Sequence, residues 1–186
     1  MSELTEATVA DRHRLLAQQF IDLIDGTQDW DSQSPVPEWR AQDIVEHLAW
    51  LPSLLGSLGV DLDVAAIDSP VERFKAQTVR VQEILDGPEA GREINLPGMR
   101  RMTVTEAIDR LYNFDLYAHA WDLASATGQE HRLDEDYAVS AHQGMSAMGP
   151  ALHESGQFGT PREVAEDAPA SERLLGLIGR DPHWRR

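Results

Sequence analysis

Asp115 and His119 lie four residues apart in a stretch that continues the apolar face of a predicted helix. At this spacing the two side chains point in nearly the same direction, with β-carbons about 6 Å apart. Burying a carboxylate and an imidazole is costly unless a partner compensates them, and a divalent metal ion would do so. His47, the polar member of the apolar face of an earlier helix, is the third candidate ligand. Two imidazoles and one carboxylate leave at least one coordination position open for water or substrate.

Spacing alone leaves a second interpretation open for these residues. Polar pairs at i and i+4 are common in helices, and a lone histidine on an apolar face is often a hydrogen-bonded core residue. Two roles are possible for Asp122, which lies three residues after His119. It could accept a hydrogen bond from a ligand imidazole and fix the tautomer of that ring, or it could pair with an arginine such as Arg110 or Arg132.

The composition limits the class of protein. A chain of 186 residues with 41% hydrophobic residues predicts one globular domain. There is no cysteine, so disulfides, thiolate metal sites and a cysteine nucleophile are excluded. The formal net charge of −16 disfavours nucleic acid and anionic membranes as partners. Without a signal-like or membrane-spanning segment, we expect a cytoplasmic protein with a small-molecule substrate. The oligomeric state is left open, with a homodimer as one option.

Four long helical patterns position the candidate ligands: about Thr5 to Asp25, Arg40 to Ser57, Ser69 to Gly87 and Thr103 to Gly128. The last two open with the capping sequences Ser-Pro-Val-Glu and Thr-Val-Thr-Glu. His47 belongs to the second helix, on a stripe that runs on to Leu58, and Asp115, His119 and Asp122 belong to the fourth. The interval containing Leu96-Pro97-Gly98 is either a short hairpin or a loop.

The rest of the chain predicts a helical extension. Asp134 begins a helix that runs to Leu152, Ser155 to Pro169 is irregular, and a short helix spans Ser171 to Ile178. The fold class is therefore all-α. The simplest architecture is a single domain in which residues 1–128 form a four-helix bundle and residues 129–186 pack on it.

Two motifs add a family resemblance. The stretch from Trp39 to Leu48, followed by the stretch from Asp115 to Gly128, resembles the actinobacterial branch of the DinB/YfiT-like superfamily. This branch includes the N-terminal domain of mycothiol-dependent maleylpyruvate isomerase. The ending Arg180-Asp181-Pro182-His183-Trp184 is also typical of these small proteins, so the resemblance extends over most of the chain.

The resemblance implies a four-helix bundle that holds a divalent ion, with zinc or nickel expected, through His47, Asp115 and His119. It also implies a low-molecular-weight thiol such as mycothiol or bacillithiol as cosubstrate. The isomerase-like pattern has glutamate where this chain has Asp115, which is one methylene shorter. The expected function is a thiol-dependent transferase or isomerase acting on a small electrophile. The alternatives are a metal-dependent hydrolase, a non-catalytic metal- or ligand-binding protein, and a helical interaction module with a buried polar network.

Overall fold

The computed structural model describes residues 1–57, 59–95, 101–154 and 156–186, and these residues are mostly helical, as predicted. Among them, no helix combines the length and apolar character needed to cross a membrane. In chain order the elements are α1 (Glu3–Glu6), α2 (Val9–Gly26), α3 (Ala41–His47), α4 (Trp50–Ser57), α5 (Pro70–Asp86), β1 (Glu93–Ile94), β2 (Met102–Thr103), α6 (Val104–Ala107), α7 (Phe114–Thr127), α8 (Glu135–Ser146), α9 (Ala151–Glu154) and α10 (Ala170–Leu177).

Side chains cap the N-termini of several helices at the positions that the sequence predicts. The Ser69 hydroxyl accepts a hydrogen bond of 3.4 Å from the Glu72 backbone N–H at the start of α5. Thr103 and Glu106 form reciprocal capping bonds of 3.1 and 2.8 Å at the start of α6. The Asp134 carboxylate caps α8 through a bond of 2.9 Å. These bonds satisfy backbone N–H groups that have no partner within their own helix.

The continuous first helix predicted from Thr5 to Asp25 is wrong at its N-terminal end. Ala7 has an extended backbone and separates α1 from α2. Thr8 then begins α2, because its hydroxyl accepts a hydrogen bond of 3.1 Å from the Asp11 backbone N–H. Helix α2 also includes Gly26, which the sequence placed after its end. The Thr8 cap therefore overrides the helical pattern that precedes it.

The second predicted helix, Arg40 to Ser57, is also divided, and Pro52 explains the break. Proline has no backbone N–H, and its ring clashes with the carbonyl four residues earlier, here that of Leu48. The Leu48 carbonyl instead accepts a hydrogen bond of 2.9 Å from the Gln77 side-chain amide on α5. Helix α3 consequently ends at His47, which places this imidazole at a helix terminus rather than in mid-helix.

A π-helical segment, Ile108–Asn113, interrupts the helix predicted from Thr103 to Gly128. It joins α6 to α7 without a loop, so the chain keeps its direction while the helical phase shifts. Tyr112 lies within this segment, and Asp115 follows it in the first turn of α7. Gly128 ends α7 with a left-handed φ of 72°, as its position predicts.

Two further predictions have mixed outcomes in the C-terminal part. The helix predicted from Glu135 to Leu152 ends early, with α8, because Gly149 has a φ of 58° and Pro150 lacks an N–H. Residues 156–169 contain neither helix nor strand, in agreement with the predicted irregular segment. Its first residue, Ser155, lies outside the described residues.

The interval between α5 and α6 contains a small antiparallel pair. Residues 93–94 of β1 pair with residues 102–103 of β2. Leu96-Pro97-Gly98 lies outside the described residues, as does Leu58, the predicted last member of the second helix's apolar face. The pairing favours the hairpin interpretation of this interval over a plain loop.

The long helices share one buried cluster. Helix α2 packs against α5 and α7, and α3 packs against the same two helices. The C-terminal helices join this cluster through α10, which packs on α8. Because α3 lies against α7, the end of α3 carries His47 to the face of α7 that holds the other candidate ligands. Large buried side chains of the cluster are Leu16, Phe20, Ile44, Phe74, Leu116 and Leu123.

Candidate metal centre

His47, Asp115 and His119 come together where α3 meets α7. One potential ligand atom from each lies within 4.8 Å of the other two. His47 Nε2 and Asp115 Oδ2 are 3.4 Å apart. Of the described residues, this is the group of three acidic or histidine side chains whose geometry suits an ion. The convergence expected from the sequence is therefore present, while ion binding stays a prediction.

The three side chains of the cluster differ in their exposure to solvent. The side chains of His47 and Asp115 are 33% and 19% exposed, whereas that of His119 is 7% exposed. The cluster is therefore partly accessible to solvent, and His119 is its most buried member. Two cavities of about 580 and 400 Å³ occur elsewhere, one beside α10 and one between α2 and α5, and neither is lined by the three candidate ligands.

The orientation of the His119 ring is set by Asp122. His119 Nδ1 lies 2.9 Å from Asp122 Oδ2, and this hydrogen bond is buried. An ionised carboxylate only accepts hydrogen bonds, so Nδ1 carries the proton and donates it. The other ring nitrogen, Nε2, is then deprotonated in the neutral ring and available to an ion. This hydrogen bond is the one that the first of the two roles foreseen for Asp122 requires, while the ligand role of His119 stays a prediction.

Asp122 also has an arginine partner, but not one that the sequence suggested. Neither Arg110 nor Arg132 pairs with it; Arg180 does, with Nη2 donating to Oδ2 at 2.9 Å and Nε to Oδ1 at 3.3 Å. Burial alone would raise the pKa of Asp122, yet the Arg180 charge and the His119 hydrogen bond outweigh it and hold that pKa below its ordinary value. Asp122 therefore stays ionised although it is fully buried.

Two tryptophans complete the surroundings of the cluster. The Trp50 indole N–H donates a hydrogen bond of 2.6 Å to Asp115 Oδ2, the oxygen that faces His47. The Trp39 ring lies 4.9 Å from the His47 ring and 5.8 Å from the His119 ring, measured between centroids. Trp50 thus fixes the carboxylate, and Trp39 shields both imidazoles.

Arg180 and the positioning role of Trp50 were not predicted from the sequence. Trp50 lies three residues after His47 in the sequence, and this proximity was the available signal. Arg180 is 58 residues from Asp122 in the chain. Its occurrence in the family-like ending was the one available hint, and it did not identify the partner.

The donor set fits a divalent transition-metal ion. Imidazole nitrogen and carboxylate oxygen are both ordinary ligands of zinc and nickel, and the hydrogen bond on His119 Nδ1 is the usual support for such a ligand. Tetrahedral ligands about 2.1 Å from an ion lie about 3.4 Å apart. Because the ligand atoms are within 4.8 Å of one another, the outermost pair needs to approach by at most about 1.4 Å.

Comparison with known proteins gives two distant relatives. Uncharacterized proteins of Mycobacterium tuberculosis, from strains CDC 1551 and H37Rv, are each 26% identical to the chain over 151 residues. The match covers 79% of this chain and 82% of each relative. No model of a known protein family matches the chain. No solved structure matches it either. The relatives' names state no activity, so function is inferred from the site.

Proposed function

We propose that the chain binds a divalent metal ion, zinc or nickel, through His47, Asp115 and His119. The observation that carries this proposal is the convergence of the three ligand atoms around an imidazole whose Nδ1 is already engaged by Asp122. A histidine that served only as a core residue would not need a second imidazole and a carboxylate with ligand atoms within 4.8 Å of its own. The partial exposure of His47 and Asp115 leaves room for an exogenous ligand.

The proposed architecture around this site is the DinB-like four-helix bundle, formed by α2, α3, α5 and α7. Its support is the packing of α2 and α3 against both α5 and α7. We propose a single domain, in which residues 129–186 pack on the bundle, because buried residues of α10 belong to the same cluster as those of α2 and α7.

The proposed activity is that of a thiol-dependent transferase or isomerase acting on a small electrophile. A bound divalent ion would supply Lewis acidity and favour the thiolate form of a coordinating thiol. With no cysteine in the chain, the sulfur must come from a cosubstrate such as mycothiol or bacillithiol. Asp115 would contribute negative charge at the site while Trp50 holds its carboxylate. His119 would keep its orientation through Asp122.

The same cluster also suits the non-catalytic alternative. A metal- or ligand-binding protein requires only the three ligands and their partial exposure. A metal-dependent hydrolase would use the same open position for water, and a turnover screen with and without thiols separates these three functions.

The first experiment is ion binding by the purified, chelator-treated protein. We expect one zinc or nickel ion per chain by calorimetry with elemental analysis, and strongly weakened binding in His119→Ala and Asp115→Asn. His142→Ala, which removes a histidine from α8 outside the cluster, is the matched control and should bind normally. Equal binding by His119→Ala and the control would refute the proposed site.

The second experiment tests the thiol function on cobalt-substituted protein. Mycothiol or bacillithiol should perturb the visible cobalt spectrum and support conversion of an electrophilic substrate. His119→Ala should lose both effects while remaining helical by circular dichroism. Cobalt binding without any response to either thiol would instead identify the non-catalytic binding protein.

A further inference from the structure

Arg180 turns into the interior directly after α10, and the end of that helix explains why. Gly179 has a left-handed φ of 86°. Its N–H donates to the Gly176 carbonyl at 3.0 Å, and the Arg180 N–H donates to the Leu175 carbonyl at 2.8 Å. This is the Schellman arrangement, in which glycine reverses the chain after the last helical turn. A β-carbon at Gly179 would also lie 2.6 Å from the backbone of Gly159, so a larger residue does not fit.

The reversed chain directs the Arg180 guanidinium at Asp122. Nε and Nη2 donate to the two different carboxylate oxygens, and Nη1 donates to the Ile178 carbonyl at 3.1 Å. All three nitrogens of the guanidinium group therefore have a hydrogen-bond acceptor, and Arg180 is only 9% exposed. Contact with both oxygens fixes the plane of the carboxylate, which contact with one oxygen would not.

We propose that Arg180 is a positioning residue of the metal centre and acts only through Asp122. Because Arg180 holds both carboxylate oxygens, Oδ2 stays in place to accept the hydrogen bond from His119 Nδ1. The His119 ring then keeps one orientation, with Nδ1 engaged by Asp122 and Nε2 left as its ligand atom. This inference rests on the metal site proposed above. Through this contact Arg180, near the C-terminal end of the described residues, influences ion affinity without being a ligand itself.

The test compares zinc dissociation constants, measured by competition with a chromophoric chelator. Removing the outer partner of a ligand typically weakens metal binding about 10- to 100-fold. Arg180 lies one contact further out than such a partner, so we expect Arg180→Ala to weaken zinc binding by about tenfold, the lower end of this range. Arg180→Lys should also bind more weakly, because an ammonium group cannot make the two-point contact. The control is Arg12→Ala, which breaks another partly buried arginine–aspartate pair, with Asp109, away from His119. It should bind zinc normally.

A double-mutant cycle separates positioning from general stability. If Arg180 acts only through Asp122, then Asp122→Asn combined with Arg180→Ala should bind zinc no more weakly than Asp122→Asn alone. Losses that multiply in the double variant would overturn the proposal. Wild-type affinity in Arg180→Lys would overturn it as well, and this variant carries the test if Arg180→Ala does not fold.

A measurement without metal distinguishes failure of this inference from failure of the proposed function. Nitrogen NMR of the His119 ring in metal-free protein should show the Nδ1–H tautomer in the wild type and a mixture of tautomers in the Arg180 variants. An unchanged tautomer would overturn the positioning role even if zinc binds. If the wild type binds neither zinc nor nickel, the proposed function fails, and the tautomer alone then decides whether Arg180 orients His119.

Discussion

Replacing Gln77 with methionine should destabilise the chain measurably, because this amide links three elements around the site. Its Nε2 donates to the Leu48 carbonyl at 2.9 Å and to the Tyr112 hydroxyl at 2.6 Å. Gln77, Leu48 and Tyr112 are all fully buried. The Leu48 carbonyl cannot recover its helical partner, since that position is the nitrogen of Pro52. Methionine keeps the length and shape of the side chain but offers no donor.

The expected loss in unfolding free energy follows from the buried groups that Gln77→Met leaves without hydrogen-bond partners. Each buried acceptor that loses its hydrogen bond costs about 1–3 kcal/mol, and two acceptors are affected. Gln77 Oε1, which is buried without a partner, disappears at the same time and offsets the cost of one group. The net loss in unfolding free energy is therefore about 2 kcal/mol. For a chain of this size that lowers Tm by about 4–8 °C.

The assay is urea unfolding followed by circular dichroism, with Gln18→Met as the matched control. Gln18 bonds to Asp22 on the exposed face of α2, so its replacement should change stability by less than about 0.5 kcal/mol. Pro52→Ala tests whether the missing N–H of Pro52 is what makes the Leu48 carbonyl depend on Gln77. The substitution restores a backbone N–H that can reach this carbonyl. It should stabilise Gln77→Met more than it stabilises the wild type. Wild-type stability of Gln77→Met, or an equal effect of Pro52→Ala in both backgrounds, would refute the reasoning.

Three further predictions concern the site, the ion and pH. Trp50→Phe should weaken zinc binding about tenfold, because it removes the N–H that holds Asp115. The control Trp30→Phe should bind zinc normally, and equal affinities of the two variants would exclude the role of Trp50 in holding Asp115. Zinc at 100 times its Kd should raise the unfolding free energy by about 2.7 kcal/mol, and a chelator should reverse this; Tm values that do not respond to chelator would show that zinc does not bind the native site. Burial lowers the pKa of His13 below 6.5, so the unfolded chain takes up this proton first and urea midpoints should fall as pH drops from about 6.5. His13→Gln should flatten this pH dependence, and an unchanged profile would contradict it.

Local signals predicted several helix boundaries. The caps at Ser69, Thr103 and Asp134 and the left-handed Gly128 act within a few residues, so they can be recognised without knowing the fold. Where the prediction was wrong, a local signal was present but given too little weight. Pro52 divides the second helix, as its missing N–H requires. The π-helical segment before Asp115 is different, because no sequence pattern marked it.

The sequence by itself determined the chemistry available at the site. The spacing of Asp115 and His119 on one helix fixes their common direction, and the absence of cysteine restricts an ion to imidazole and carboxylate ligands. Only the tertiary structure decided which other side chains contact Asp115 and His119. The division at Pro52 ends α3 at His47, and the packing of α3 on α7 then brings this ring beside Asp115. The reversal at Gly179 carries Arg180 to Asp122. Such pairings depend on how distant helices pack, and helical periodicity within one segment carries no information about the segment it will contact.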